Sequence, residues 1–176
     1  KATANLVVDG FSFNNLFSVK QLKIVGELPT SDTTPTILTA RLHSLRSGER
    51  EIQQGEISVA GTRKAHVLKV KAENKLSEFY VQLAGGFNAN NDWYGQIQKG
   101  DFDSLRTRLV QKQNASVIYH TNNSELFIGA HCWMSQQSQL CFDQPIRTSK
   151  TKGNVSFVTQ NVDLSDFSAF MPDGLA

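Results

Sequence analysis

The chain has 176 residues, a net charge of +2, 39% hydrophobic residues and 19% charged ones. The charge is too small, and the basic residues too scattered, to make a nucleic-acid surface, and the composition is not that of a disordered chain. No apolar run approaches the ~20 residues of a membrane-spanning helix. A start at Lys1, without methionine, reads as a fragment or a processed product that retains no signal peptide.

Apolar and polar residues alternate with a period of two almost throughout, the pattern of strands with one apolar face. In QLKIVGEL, Leu22, Ile24 and Leu28 oppose Gln21, Lys23 and Glu27. In ILTARLH, Leu38, Ala40 and Leu42 oppose Thr39, Arg41 and His43. Ile57 and Val59 alternate with Glu56 and Ser58, and Leu68 and Val70 with Lys69 and Lys71. Phe79, Val81, Leu83 and Phe87 oppose Tyr80 and Gln82. Trp93 and Ile97 oppose Tyr94, Gln96 and Gln98. Leu126, Ile128 and Ala130 oppose Phe127 and His131. The segment around Leu16 fits a helical turn or a loop. RTRLVQKQ, from Arg106 to Gln113, has helical propensity but strand-like neighbours. One helix is expected near the end, where Asp163 caps a run with Leu164, Phe167, Phe170 and Met171 at helical spacing, stopped by Pro172 and Gly174.

Turn chemistry separates these runs. Asp9-Gly10, Ser47-Gly48, Ala60-Gly61, Asn90-Asn91-Asp92, Lys99-Gly100-Asp101, Asn122-Asn123 and Lys152-Gly153-Asn154 all suit hairpin connections. The expectation is an all-β chain: one long antiparallel sheet with at most one or two short helices. About ten strands at ~4.8 Å spacing run for roughly 50 Å, and a sheet that wide closes into a barrel, splits into a sandwich, or stays open and curled.

Signatures of catalysis are missing. There is no nucleophile elbow, phosphate loop or zinc-protease helix motif. His43, His66, His120 and His131 fall on separate strands and read as solvated or hydrogen-bonded. Asp101 and Asp103 read as caps of a turn in preference to calcium ligands, and Asp163 and Asp166 as helix-start acids. Sequons at Asn114, Asn122 and Asn154 matter only in a eukaryotic secretory host. Arg41, Arg46, Arg50, Arg63 and Lys64 are candidates to meet lipid head groups at a rim, against the plainer reading of solvated turns. The apolar faces are the strongest feature, either an ordinary packed core or a surface kept for a ligand.

Cys132 and Cys141 are the only cysteines. Zinc needs about four ligands, and no second cysteine pair exists. A nucleophile needs a base and an electropositive pocket, and neither is visible. A disulfide closing a hairpin remains, implying an oxidising compartment, with two buried free thiols as the competing reading.

Three stretches in order, NDWYGQI, AHCWMSQQSQLCFD and VSFVTQNVDLSDFSAFMPDGL, carry a resemblance. Trp93 with Gly95, His131 to Trp133, Leu140 with Cys141, and Leu164 to Pro172 resemble the later part of TamB proteins, the translocation and assembly module subunits of the AsmA-like group. The likeness covers roughly residues 76–176. It implies a β-rich segment, 1–176, of a larger repetitive protein of a Gram-negative bacterium, anchored in the inner membrane and crossing the periplasm. It implies an open, taco-like trough with an apolar concave face. The trough would carry phospholipid acyl chains between the membranes and support outer-membrane biogenesis with an Omp85-type, TamA-like barrel partner. The alternative is a chaperone-like module that holds strands of outer-membrane proteins or autotransporters. A closed adhesion or carbohydrate-binding module is a third reading. No catalytic residue, metal or cofactor is implied. The residues expected to line the trough are Leu38, Leu42, Ile57, Val59, Leu68, Val70, Phe79, Val81, Leu83, Trp93, Ile97, Leu126 and Ile128.

Overall fold

The computed structural model describes residues 2–13, 17–29, 31–163, 165 and 167. Seven long strands come first: β1 (Ala2–Phe13), β2 (Phe17–Leu28), β3 (Thr36–Ser47), β4 (Arg50–Gly61), β5 (His66–Glu73), β6 (Ser77–Phe87) and β7 (Trp93–Ser104). Eight short ones follow: β8 (Arg108–Gln111), β9 (Ala115–His120), β10 (Glu125–Ile128), β11 (His131–Met134), β12 (Gln139–Phe142), β13 (Ile146–Thr148), β14 (Gly153–Asn154) and β15 (Val158–Gln160). All fifteen belong to one sheet that does not close into a barrel. β1 to β7 pair in chain order, each antiparallel to the next. One half of β7 pairs with β9 and the other with β8. Two ribbons then run side by side, β8-β11-β12-β15 and β9-β10-β13-β14. Each of the last four positions of the meander is thus one strand broken in two.

The break follows a crease across the sheet. β7 carries one extra residue there: Gln82 faces Lys99 while Leu83 faces Ile97, leaving Gln98 unpaired. The extra residue reverses the phase of burial, so Trp93 and Ile97 are buried before it and Gly100 and Phe102 after it. The same line passes through Lys112–Asn114, Gly129–Ala130 and Asp143–Pro145, where the ladders stop. Pro145 has no N–H to donate to a ladder. Backbone bonds Lys112 N–H to Cys132 O (3.1 Å) and Gly129 N–H to Ser116 O (2.8 Å) stitch the bend.

A second crease crosses β1 to β4. Gly10, Lys20, Ser44 and Gln53 stand opposite one another, and this one row is missing from three successive ladders. Gly10 (φ 70°) and Ser44 (φ 54°) are left-handed there. A left-handed serine costs on the order of 1 kcal/mol. Its hydroxyl donates to Glu51 Oε1 at 2.7 Å, which holds the kink. Half-burial again changes phase, from Phe17 and Val19 to Leu22 and Ile24 along β2.

These creases correct several expectations. Asp9-Gly10 and Lys99-Gly100-Asp101 are not turns but kinks inside β1 and β7. Asp101 and Asp103 consequently cap nothing; both face Arg108, at 3.6 and 3.8 Å. His131 does not oppose the apolar face of Ile128. It lies past the crease and is buried. Ser47-Gly48, Asn90-Asn91 and Asn122-Asn123 do form turns. Ala60-Gly61 and Gly153-Asn154 end or form strands, with the turns beside them at 62–65 and 149–152. Phe17 onward is strand, and Leu16 lies outside the described residues. The segment Arg106 to Gln113 contains β8, as its neighbours suggested. Of the expected terminal helix, Leu164, Asp166, Phe170 and Met171 lie outside the described residues, while Ser165 and Phe167 have 3₁₀ geometry. Among the described residues there is no α-helix, and hence no helix able to cross a membrane.

The core sits at the curled end. Phe102 and Leu109 are wholly buried, joined by Val81, Trp93, Ile97, Ala115, Val117 and Trp133. Val162 and Phe167 pack on this cluster from the tail, and the Phe167 ring stacks on Phe102 at 3.9 Å between centroids. The W-x-G motif has a packing cause. The Trp93 indole lies across Gly95 and its cross-strand partner Gly85, and a Cβ on either would collide with the ring. Gly100 in the same way makes room for the Trp133 indole. Cys132 and Cys141 are direct partners across the β11–β12 hairpin and form a disulfide, with Cα atoms 4.1 Å apart.

Three measurements test this packing. Replacing both cysteines by serine removes a crosslink over a ten-residue loop, expected to cost about 2.5–3 kcal/mol and to lower the melting temperature by about 5–10 °C. An unchanged melting temperature would mean that the hairpin holds itself together. Gly95→Ala should destabilise by about 1–3 kcal/mol in urea unfolding through overpacking against the Ala84 carbonyl and the Trp93 ring; an unshifted midpoint would show that strand and indole both give way at no cost. Burial holds the His131 imidazole below the ordinary 6.5, partly opposed by its bond to Gly129 O. The unfolded chain then binds the proton more readily, so stability is full above pH 6.5 and falls as pH drops below it. His131→Phe, which can keep the stacking on Phe142, should lose less stability than the parent over that fall; parallel pH curves would contradict the assignment.

Candidate functional site

Residues directly opposite in a ladder share a face, so the register alone assembles the apolar surface. Leu38, Val59, Leu68, Leu83 and Ile97 form one row across β3 to β7. Ile57, Val70 and Val81 form the next row. Leu42 continues through Gly55 and Ala72 to Phe79 and Phe102 in a third. Trp93 faces Tyr119, which faces Leu126, and Gly95 faces Val117, which faces Ile128. All thirteen residues singled out in the sequence therefore stand on one face.

That face is filled at one end and bare at the other. Over β6 to β12 the curled ribbons close on themselves, and Val81, Trp93 and Ile97 belong to the packed core. Over β1 to β5 it is largely open, faced by other described residues only where Val59 and Leu68 approach the filled end: Leu6, Phe13 and Ile57 are 51%, 48% and 46% exposed. Between the two regimes lies a cavity of about 720 Å³. Val59 and Leu68 wall it on one side, Val117, Tyr119 and Leu126 on the other, with Leu83, Phe87 and Trp93 between them. The volume falls in the roughly 300–1,000 Å³ range of small-molecule sites.

Of the thirteen expected residues, Val59, Leu68, Leu83, Trp93 and Leu126 line this cavity; its other large apolar or aromatic side chains, Phe87, Val117 and Tyr119, were not among the expected set. Phe87 did show the right alternation. Val117 and Tyr119 lie in VIYH, a run too short to reveal its face before its pairing with β7 is known.

The polar groups of this face are few and mostly satisfied. The Trp93 indole N–H donates to His66 Nε2 at 2.8 Å. An indole can only donate, so Nδ1 carries the imidazole proton and donates to Thr62 O at 3.0 Å. His66 thereby braces the Trp93 indole within the cavity lining. His120 instead meets Asp92 at 3.1 Å, outside the cavity. At the far rim Arg106 pairs with Asp163 at 2.6 Å, and hydrogen bonds from Ser165, with Arg106 beside it, hold the Asp163 carboxyl below its usual range. On the opposite face charges pair with each other: Arg41 with Glu56 at 2.7 Å, and Lys71 with Glu78 at 3.2 Å, which raises the Lys71 pKa. Among the described residues no three His, Cys, Asp or Glu side chains gather in a way that could hold a metal. The arrangement offers an apolar surface with a sparse polar border.

The chain is similar to the translocation and assembly module subunit TamB of Haemophilus influenzae, with 24% identity over 167 residues. The match covers 92% of this chain and 13% of that relative, so the chain spans about an eighth of the relative's length. No solved structure matches it. A family model described as the N-terminal domain of TamB matches residues 1–176, whereas the sequence motifs pointed to the later part of such chains. With the match running from the first residue to the last, the chain belongs to the TamB family.

Proposed function

We propose that this segment is a non-enzymatic stretch of periplasmic trough in a larger, repetitive, inner-membrane-anchored protein of a Gram-negative bacterium. Its apolar face carries phospholipid acyl chains between the membranes. It supports outer-membrane biogenesis together with an Omp85-type barrel partner of the full-length chain. The observation that carries this reading is the one-sided apolar face, left open over β1 to β5 and leading into the 720 Å³ cavity. Each methylene moved from water onto such a surface gains ~0.8 kcal/mol, with no demand on chain identity. A lining nearly free of polar hooks lets an acyl chain slide, which suits transport better than storage. The disulfide fits an oxidising compartment.

The thirteen residues divide within this proposal. Leu38, Leu42, Ile57, Val59, Leu68, Val70 and Leu83 present the surface that acyl chains would touch. Phe79, Val81, Trp93, Ile97, Leu126 and Ile128 form or support the wall behind it. The second reading, a holder of unfolded outer-membrane strands, draws on β1: a twelve-residue strand paired only with β2 among the described residues, and so able to accept another strand.

The test uses full-length protein. Ile57→Asp and Leu6→Asp change exposed positions and leave the core intact. They should each lower co-purified phospholipid severalfold while thermal unfolding stays near that of the parent. A photocrosslinker at Ile57 should yield lipid adducts. Peptide adducts there would support the strand-holding reading, and a parent protein free of lipid would sink the conduit.

A further inference from the structure

The five basic residues that stood out in the sequence as rim candidates separate in the structure. Arg41 and Arg46 are engaged by Glu56 and Glu51 away from the cavity, at 2.7 and 3.2 Å. Arg50 has a partner, and Lys64 lies outside the cavity lining. Arg63 alone of the five lines the cavity, and among the described lining residues Asp32 is the one carboxylate.

The two charges form a built pair of opposite sign at one end of an apolar surface. The Arg63 guanidinium lies over the Phe87 ring, 5.1 Å from its centroid. It donates to Asn91 Oδ1. The Arg63 carbonyl also accepts the Phe87 N–H at 3.0 Å, tying the β4–β5 turn to the cavity wall. The guanidinium is thus oriented by a ring and an amide, and among the described residues these and the long contact to Asp32 do not fill its five-donor fork. Asp32 stands 3.8 Å from Arg63 Nε, and its side chain is 69% exposed. So long and wet an ion pair contributes little and yields readily to a better partner. Ser31, Thr36 and Thr62 complete the polar border, while Val59, Leu68 and Leu83 begin the apolar surface beside it.

We infer that Arg63 and Asp32 form a head-group station of the trough for a zwitterionic phospholipid, the phosphate on Arg63 and the ammonium on Asp32, with the acyl chains laid over Val59, Leu68 and Leu83. The inference rests on the lipid reading above and gives it a direction, since a lipid so held enters the cavity tails first from the 31–36 and 62–65 loops. A planar fork suits the phosphate. A carboxylate beside it opposes a purely anionic head group and favours one that carries its own cation.

The experiment takes the full-length protein with Arg63→Gln, Asp32→Asn and, as a control, Arg41→Gln. Each is incubated with vesicles of phosphatidylethanolamine and phosphatidylglycerol in equal parts, and bound lipid is identified by mass spectrometry. The parent and Arg41→Gln should enrich the ethanolamine lipid. Arg63→Gln should carry about tenfold less lipid, as expected for loss of one charge-assisted contact. Asp32→Asn should keep its load and lose the preference. Excess inorganic phosphate should leave bound lipid in place; displacement would assign Arg63 to free phosphate and overturn the station. Unchanged load and ratio in both variants would also overturn it while leaving the conduit intact. A lipid-free parent would remove both.

Discussion

The long strands of this protein each have one mainly apolar face, and the described chain supplies no separate second layer to cover it. That shortage governs the rest of the structure. A flat sheet eleven strands across would leave the whole face in water. Closing into a barrel would remove the edges as well as the exposed face. The chain does neither. It rolls its second half over on itself and leaves its first half open, so burial grades from Ile57 at 46% exposed to Phe102 and Leu109 at zero.

The roll depends on where the strands are allowed to break. A continuous ladder resists bending sharply because each kink costs hydrogen bonds. Here the cost is concentrated in two lines. One holds Gly10, Lys20, Ser44 and Gln53, and the other runs from Gln98 through Gly129 to Pro145. Along each line the phase of side chains reverses, and the sequence reverses its apolar pattern at the same place. The apolar face is therefore continuous in space while the alternation along each strand is interrupted. Trp93 and Trp133 then fill the hollows left by glycines on either side of the second line.

Much of this was legible from period two alone. The apolar positions of β2 to β7 were assigned to one face, and their ladders put them there. Pairing of Cys132 with Cys141 followed from the hairpin between them. The misreadings share one cause. Asp9-Gly10 and Lys99-Gly100-Asp101 have the composition of turns, because a left-handed residue or a bulge calls for the same residues whether the chain reverses or merely kinks. His131 was placed on the wrong side because a one-residue bulge flips all that follows. Asp101 and Asp103 looked like caps only while a turn was assumed there. Arg63 could not be told from Arg46 or Arg50, since all three sit in or beside turns with polar neighbours, and nothing local marks the mid-strand Arg41 as different in kind.

Alternation, turn residues and the single cysteine pair were sufficient for an all-β antiparallel meander with one apolar face and a stapled hairpin, because these are local properties with a range of a few residues. Whether that face is open or filled depends on contacts between strands far apart in the chain, Val59 and Leu68 across from Val117 and Leu126. So does the choice of Arg63 among five similar cations. Such contacts are set by the curvature accumulated over the whole sheet, a sum of small twists and two creases, and no window of sequence contains that sum.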